Sequence, residues 1–169
     1  MSESELVFIE ARTLWESNAK KKISPVEIAK AYLDRIERLN PKLNAFLTVS
    51  ADSTIKQAHD AELAVMRGQM TGPLHGLVIP VKDLVQTAGI RTTWGSKVYR
   101  DFVPNHDDLV AKRIRSAGGI IIGKTNTSEF GHLATTENLL RDPCRNPWNT
   151  GHTPGGSSGG AAVAISAGL

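Results

Sequence analysis

Apolar and polar positions recur with two different periods along the chain, and the change of period divides it. Ile28, Ala29, Tyr32, Leu33, Ile36 and Leu39 follow the three- and four-residue spacing of one helical face. Ser24 stands before them as an N-cap, Pro25 suits the first helical position, and Glu27 completes a capping box. This predicts a helix that ends at Asn40-Pro41, because the residue before a proline is steered away from helical backbone. Leu6, Ile9 and Leu14 predict an earlier helix from about Glu5 to Ser17, capped by Ser4. Ala45 to Val49 reads as a short strand. Asp52 to Arg67 reads as a third helix, with Gly68 suited to a left-handed cap.

Beyond residue 70 the period shortens. Leu77-Val-Ile-Pro-Val-Lys82 and Ile120-Ile-Ile122 are apolar runs of strand length, and Asp108 to Ala117 between them reads as a helix closed by Gly118. Strand, helix, strand predicts a parallel pair with a right-handed crossover. Asn146 to Gly160 is rich in Gly, Pro, Ser and Thr, and Ala161 to Leu169 begins a helix of small apolar residues. The expectation is a helical segment over 1–70 followed by an α/β unit over 71–169. Two parallel strands make too small a sheet to stand alone. The last helix also stops at Gly168-Leu169 with no evident cap. Both features mark the chain as the N-terminal part of a larger α/β domain.

Composition narrows the function. Hydrophobic residues are 40% and charged residues 22%, ordinary for a globular chain, which excludes disorder and collagen-like structure. Lys and Arg total 20 against 17 Asp and Glu, but the charges are interspersed. Lys20-Lys21-Lys22 is read as a solvated turn, so no nucleic-acid partner is expected. No apolar run approaches membrane-spanning length, and the acidic start resembles neither a secretory signal nor a transit peptide, so a cytoplasmic protein without a membrane partner is expected. The single cysteine, Cys144, excludes an internal disulfide and is read as a packed, inert thiol. His59, His75, His106, His132 and His152 have no metal-ligand spacing, so they are read as loop or surface histidines, and neither a metal nor a cofactor is expected.

Three motifs carry candidate chemistry. Gly118-Gly-Ile-Ile-Ile-Gly-Lys124-Thr125 matches a phosphate-binding pattern, but three isoleucines favour a strand where a cradle needs a loop. Gly155-Gly-Ser-Ser-Gly-Gly160 contains G-x-S-x-G around Ser157 or Ser158, yet a loop, not a strand, leads into it, which argues against a nucleophile elbow. Its glycines before a helix would let polar groups approach a positive dipole end. Lys82 ends an apolar strand; such a lysine either snorkels and pairs with Asp83, or is buried and loses affinity for its proton. A lysine poised in that way serves as a general base.

Together these stretches resemble the amidase signature family of serine amide hydrolases. The matching segments are Gly72-Pro-Leu-His-Gly-Leu-Val-Ile-Pro-Val-Lys-Asp83, Ala117-Gly-Gly-Ile-Ile-Ile-Gly-Lys-Thr-Asn126, Arg145-Asn-Pro-Trp-Asn149 and Thr153-Pro-Gly-Gly-Ser-Ser-Gly-Gly160. Ser24-Pro-Val-Glu27 and Leu39-Asn-Pro-Lys-Leu-Asn-Ala-Phe46 match the family's N-terminal helices. The resemblance implies an α/β/α fold around a mixed, largely parallel sheet. It implies a Ser–Ser–Lys triad with Lys82 as general base and Ser157 as bridging serine, preceded by a cis peptide bond from Gly156. Gly131, Gly156 and Ser157 are the implied substrate contacts, and Ser158 is expected to support the loop by hydrogen bonding. The family's nucleophile is a third serine in a later Gly-Gly-Ser stretch, next to the oxyanion hole, and no such stretch follows Ser157 here. The 169 residues alone are therefore expected to be inactive and poorly stable. The implied partner is a small-molecule amide, with a homodimer expected at full length. A glutaminase subunit of a tRNA-dependent amidotransferase and a non-catalytic truncated product are the alternatives.

Overall fold

The computed structural model describes residues 3–169, with side chains from residue 5 onward. The first predicted helix comes as two, α1 (Glu3–Leu6) and α2 (Ala11–Ala19). The break lets both Leu6 and Val7 pack against Leu14, Ile28 and Leu77. Burial of that kind outweighs the continuity of a short helix. The cap expected from Ser4 lies outside the described side chains.

Helix α3 (Pro25–Leu43) carries the expected capping box. Glu27 N–H donates to Ser24 Oγ at 3.1 Å, and Ser24 N–H donates to the Glu27 carboxylate at 2.7 Å. The helix does not end at Asn40-Pro41 but runs through Pro41 to Leu43. Proline in the last turn sacrifices little, while Leu43 gains a place in the core and Asn44 closes the helix in the left-handed region. Asn40 turns its amide outward from the helix, accepting from Phe46 N–H at 2.8 Å and donating to the Phe46 carbonyl at 3.2 Å. That bracket starts strand β1 (Phe46–Val49).

Helix α4 (Ala51–Met66), strand β2 (Val78–Lys82), helix α5 (Leu109–Ser116), strand β3 (Ile120–Thr125) and helix α6 (Gly159–Ala167) complete the order. Gly68 and Gly118 follow α4 and α5 with positive φ, as their positions predict. The sheet order is β1–β3–β2, with β2 parallel and β1 antiparallel to β3, so the sheet takes strands from both sides of residue 70. Ile122 with α3 and α6 forms one core cluster, Ile120 with α3 and α4 another, and Val81 and Ile121 with Ala111 of α5 a third. This is the α/β/α layering expected for the family.

One expectation is refined and one corrected. His75 lies in a loop, one of the two expected placements, but is buried there: it is 3% exposed, its Nδ1 accepts from Thr71 N–H, and its Nε2 faces the Ala61 carbonyl at 3.0 Å. It thereby ties the loop before β2 to α4. Helix α6 does not stop uncapped, because Gly168 takes the left-handed conformation and Leu169 N–H returns to the Ala164 carbonyl. Val163, Ala164, Ala167 and Leu169 pack into the cluster around Phe46 and Ile122. Among the described residues, no helix is long and apolar enough to cross a membrane.

Candidate active site

Parallel strands gather side chains at their carboxyl ends, and β2 and β3 do so here. Val81 pairs with Lys124 and Lys82 with Thr125 across the two strands. Side chains alternate along a strand, so the two lysines stand on opposite faces of the sheet.

Lys82 faces the loop leading into α6. Its Nζ lies 2.8 Å from Ser157 Oγ and 2.8 Å from Ser158 Oγ. The snorkelling pair with Asp83 does not form, because Asp83 is directed to the other side. Burial lowers the proton affinity of Lys82 from the ordinary lysine value. The Gly156–Ser157 peptide bond is cis. Gly156 backs directly onto the Thr135 carbonyl, where a Cβ would collide. Ser158 occupies the N-cap of α6 but makes no side-chain cap bond; its hydroxyl is engaged by Lys82 instead of the loop backbone.

The first N–H groups of α6 are also taken. Gly159 N–H donates to Thr136 Oγ1 at 2.9 Å and Gly160 N–H to the Asn126 carbonyl at 3.2 Å. The glycines therefore serve close packing of the helix against the end of β3, and these two N–H groups are not left open for a ligand. Gly131 lies beside Ser157: a Cβ placed on it would sit 3.6 Å from Ser157 Oγ and 2.7 Å from Leu84 Cδ1. With φ at +70°, the backbone there also disfavours any side chain.

Lys124 is the residue that sequence reasoning passed over. The isoleucine run forms a strand, and the phosphate-like pattern ends inside it. Lys124 is fully buried, as is the Asp83 carboxylate 3.9 Å away. Its ammonium donates to the Val85 carbonyl, to Thr87 Oγ1 at 3.1 Å and to Thr92 Oγ1 at 3.0 Å. Asp83 in turn accepts from Thr93 N–H at 2.9 Å and from the Thr93 hydroxyl. Burial lowers the Lys124 pKa to about 8 and raises that of Asp83; their attraction opposes both shifts, and the Thr93 hydrogen bonds oppose that of Asp83. The signal was the same as for Lys82, a lysine closing an apolar run of strand length, but the G-K-T pattern obscured it.

An aromatic group flanks this centre. Trp94 stacks on Phe102 with ring centres 5.4 Å apart, and Tyr99 meets Trp94 and Phe130 edge-on. Trp94 Nε1 donates to the Leu84 carbonyl and Phe130 N–H to the Trp94 carbonyl. Cys144 is buried in the core around Phe46, and burial pushes its thiol up to about 12. The site's chemical capacity is thus a partly buried amine of lowered proton affinity in direct contact with two hydroxyls.

Residues 27–169 match the family model described as Amidase. The chain is 42% identical over 164 residues to a glutamyl-tRNA(Gln) amidotransferase subunit from Carboxydothermus hydrogenoformans, a match that covers 97% of this chain and 34% of that protein. It is similar in structure to the peptide amidase of Stenotrophomonas maltophilia, with a TM-score of 0.83 and 31% identity over 92% of this chain and 33% of that one. A bacterial aryl acylamidase of the amidase signature family gives a TM-score of 0.87 at 30% identity, over 93% of this chain and 33% of its own. The chain spans about a third of the length of the curated relatives it matches.

Proposed function

The chain belongs to the amidase family, and we propose that the protein carrying it hydrolyses a non-peptide carboxylic amide through an acyl-serine intermediate. Lys82 is the general base, Ser157 the bridging serine, and the nucleophile a serine outside residues 1–169. The observation that carries this reading is the 2.8 Å contact of Lys82 Nζ with Ser157 Oγ at the end of strand β2.

The proton inventory is consistent with these roles. As an ammonium, Lys82 donates to both Ser157 and Ser158. As a neutral amine it keeps one N–H on Ser158, which aims its lone pair at the Ser157 O–H. When the nucleophile's oxygen bonds to the amide carbon, its proton passes to Ser157 Oγ and the Ser157 proton to Lys82 Nζ. Collapse breaks the C–N bond, and the proton returns through Ser157 to the leaving nitrogen. Water then attacks the acyl-serine by the same route, releasing the acid and regenerating the serine. Substitution of a lysine for histidine follows the established logic of serine triads.

The test is ammonia release from a panel of amides by the protein as its gene encodes it. The reading requires turnover that Lys82→Ala and Ser157→Ala each suppress. A Lys82→Ala protein with the parent's rate overturns it.

A second reading rests on the similarity to a glutamyl-tRNA(Gln) amidotransferase subunit. In that case the substrate is glutamine and the protein works with partner subunits. Glutamine hydrolysis that rises on adding those subunits favours it; efficient turnover of simple amides by the isolated protein favours the first.

A further inference from the structure

We propose that the buried Asp83–Lys124 pair is a positioning device for the site: it folds residues 83–95 around a buried ammonium and thereby fixes both Lys82 and the segment bearing Gly131. The inference rests on the reading of Lys82 as base given above.

The geometry has three parts. Lys124 Nζ gathers the Val85 carbonyl and the hydroxyls of Thr87 and Thr92, so one ammonium holds three points of a single turn. Asp83 closes that turn, because its carboxylate takes Thr93 N–H and the Thr93 hydroxyl while its carbonyl takes Trp94 N–H at 3.1 Å. Asp83 is also the residue next to Lys82, and its own N–H continues the ladder to the Thr125 carbonyl. The turn therefore begins where the base ends.

The same turn carries the Gly131 side of the site. The Trp94 carbonyl takes Phe130 N–H at 2.7 Å, Gly95 packs on the Ser128 carbonyl, and Leu84 lies against Gly131. Gly131 in turn borders Ser157 Oγ. Lys82 and Gly131, separated in sequence, are thus both tied to one turn whose centre is Lys124.

Stability alone is a weak reason for this arrangement. Desolvating a lysine and a carboxylate is costly, and apolar replacements of such pairs are often neutral or stabilising. What an ammonium adds is directional: it holds specific carbonyl and hydroxyl oxygens at fixed distances.

The experiment is trace acetylation of the folded, full-length protein with acetic anhydride, with Lys82 and Lys112 quantified by mass spectrometry. Asp83→Asn and Thr92→Val are the variants; the second removes one hydroxyl and keeps the ion pair, so it decides the matter if Asp83→Asn does not fold. We expect Lys82 labelling to rise several-fold in a folded variant with exposed Lys112 unchanged. We also expect kcat per titrated active site to fall by tenfold or more in Asp83→Asn, with KM within twofold. Lys82 labelling equal to the parent's in the folded variants overturns the proposal, even if their melting temperature drops. A parent protein that hydrolyses no amide overturns the reading of function instead, and the labelling result stands apart from it.

Discussion

Lys82 ends β2, Lys124 stands one register step away in the neighbouring parallel strand β3, and the two face opposite sides of the sheet. One reaches two serine hydroxyls, the other two threonine hydroxyls and a carbonyl. Burial lowers the proton affinity of both, but only Lys124 has a carboxylate beside it to oppose the shift. The two differ in what surrounds them: Lys82 reaches hydroxyls at the candidate site, whereas Lys124 is enclosed, and burial brings its pKa down to about 8 in spite of the carboxylate beside it.

The first consequence is a pH dependence. A general base acts only when neutral, so kcat/KM should rise with pH through the pKa of Lys82. Burial places that pKa below the ordinary lysine value of about 10.4, so the limb should level off at lower pH than free lysine would give. A pH–rate profile on the full-length protein checks this. A rise that continues unchanged beyond the ordinary lysine pKa contradicts it.

Ser158 should tune that limb. Its hydroxyl accepts from Lys82, and an acceptor favours the charged amine more than the neutral one. Ser158→Ala should therefore shift the limb to still lower pH. It should also reduce kcat, because the lone pair of Lys82 loses its alignment, with a loss smaller than the ~10²–10⁴-fold typical of removing the base itself. Because Ser158 makes no side-chain cap bond to α6, the melting temperature should change little. A limb that moves upward reverses the assignment of who donates to whom.

Part of this was legible in the sequence because the causes were local. The capping box at Ser24 and Glu27 is read from four adjacent residues, and β2 and β3 from unbroken apolar runs. Lys82 was legible because a charge at the end of such a run is conspicuous. The rest depended on residues distant in the chain. The helix passes Pro41 because Leu43 finds a core built from β1 and α6. The environment of Lys124 comes from Asp83, Val85, Thr87 and Thr92, about forty or fewer residues upstream, and no short pattern announces that they meet.

Gly131 should set the space beside Ser157. A methyl group there meets Leu84 and comes within contact of Ser157 Oγ, and the positive φ adds roughly 1–2 kcal/mol of backbone strain. Gly131→Ala should lower stability by about that amount and raise KM for amides with bulky acyl groups more than for small ones. Steady-state kinetics across an acyl series measures it. Equal KM changes for every substrate size place Gly131 away from the bound amide.

Cys144 should be chemically silent. Its thiol is 2% exposed, lies in the cluster of Phe46, Ile122 and Val163, and is pushed up to about 12 by burial. At pH 8 the thiolate fraction is then about one part in ten thousand, and the thiolate is the reactive form. A disulfide reagent should leave Cys144 unmodified in the folded protein and modify it after denaturation, as read by mass spectrometry of the peptide that contains it. Cys144→Ser should cost about 1–3 kcal/mol, because a hydroxyl replaces a thiol among apolar neighbours. Activity per folded molecule should stay that of the parent, since the Cys144 side chain packs into the core around Phe46 and takes no part in the Lys82–Ser157 contact. Fast, stoichiometric labelling of the native chain would require this side of the α3–β1–α6 core to open at equilibrium, and the packing around Phe46 would then have to be redrawn.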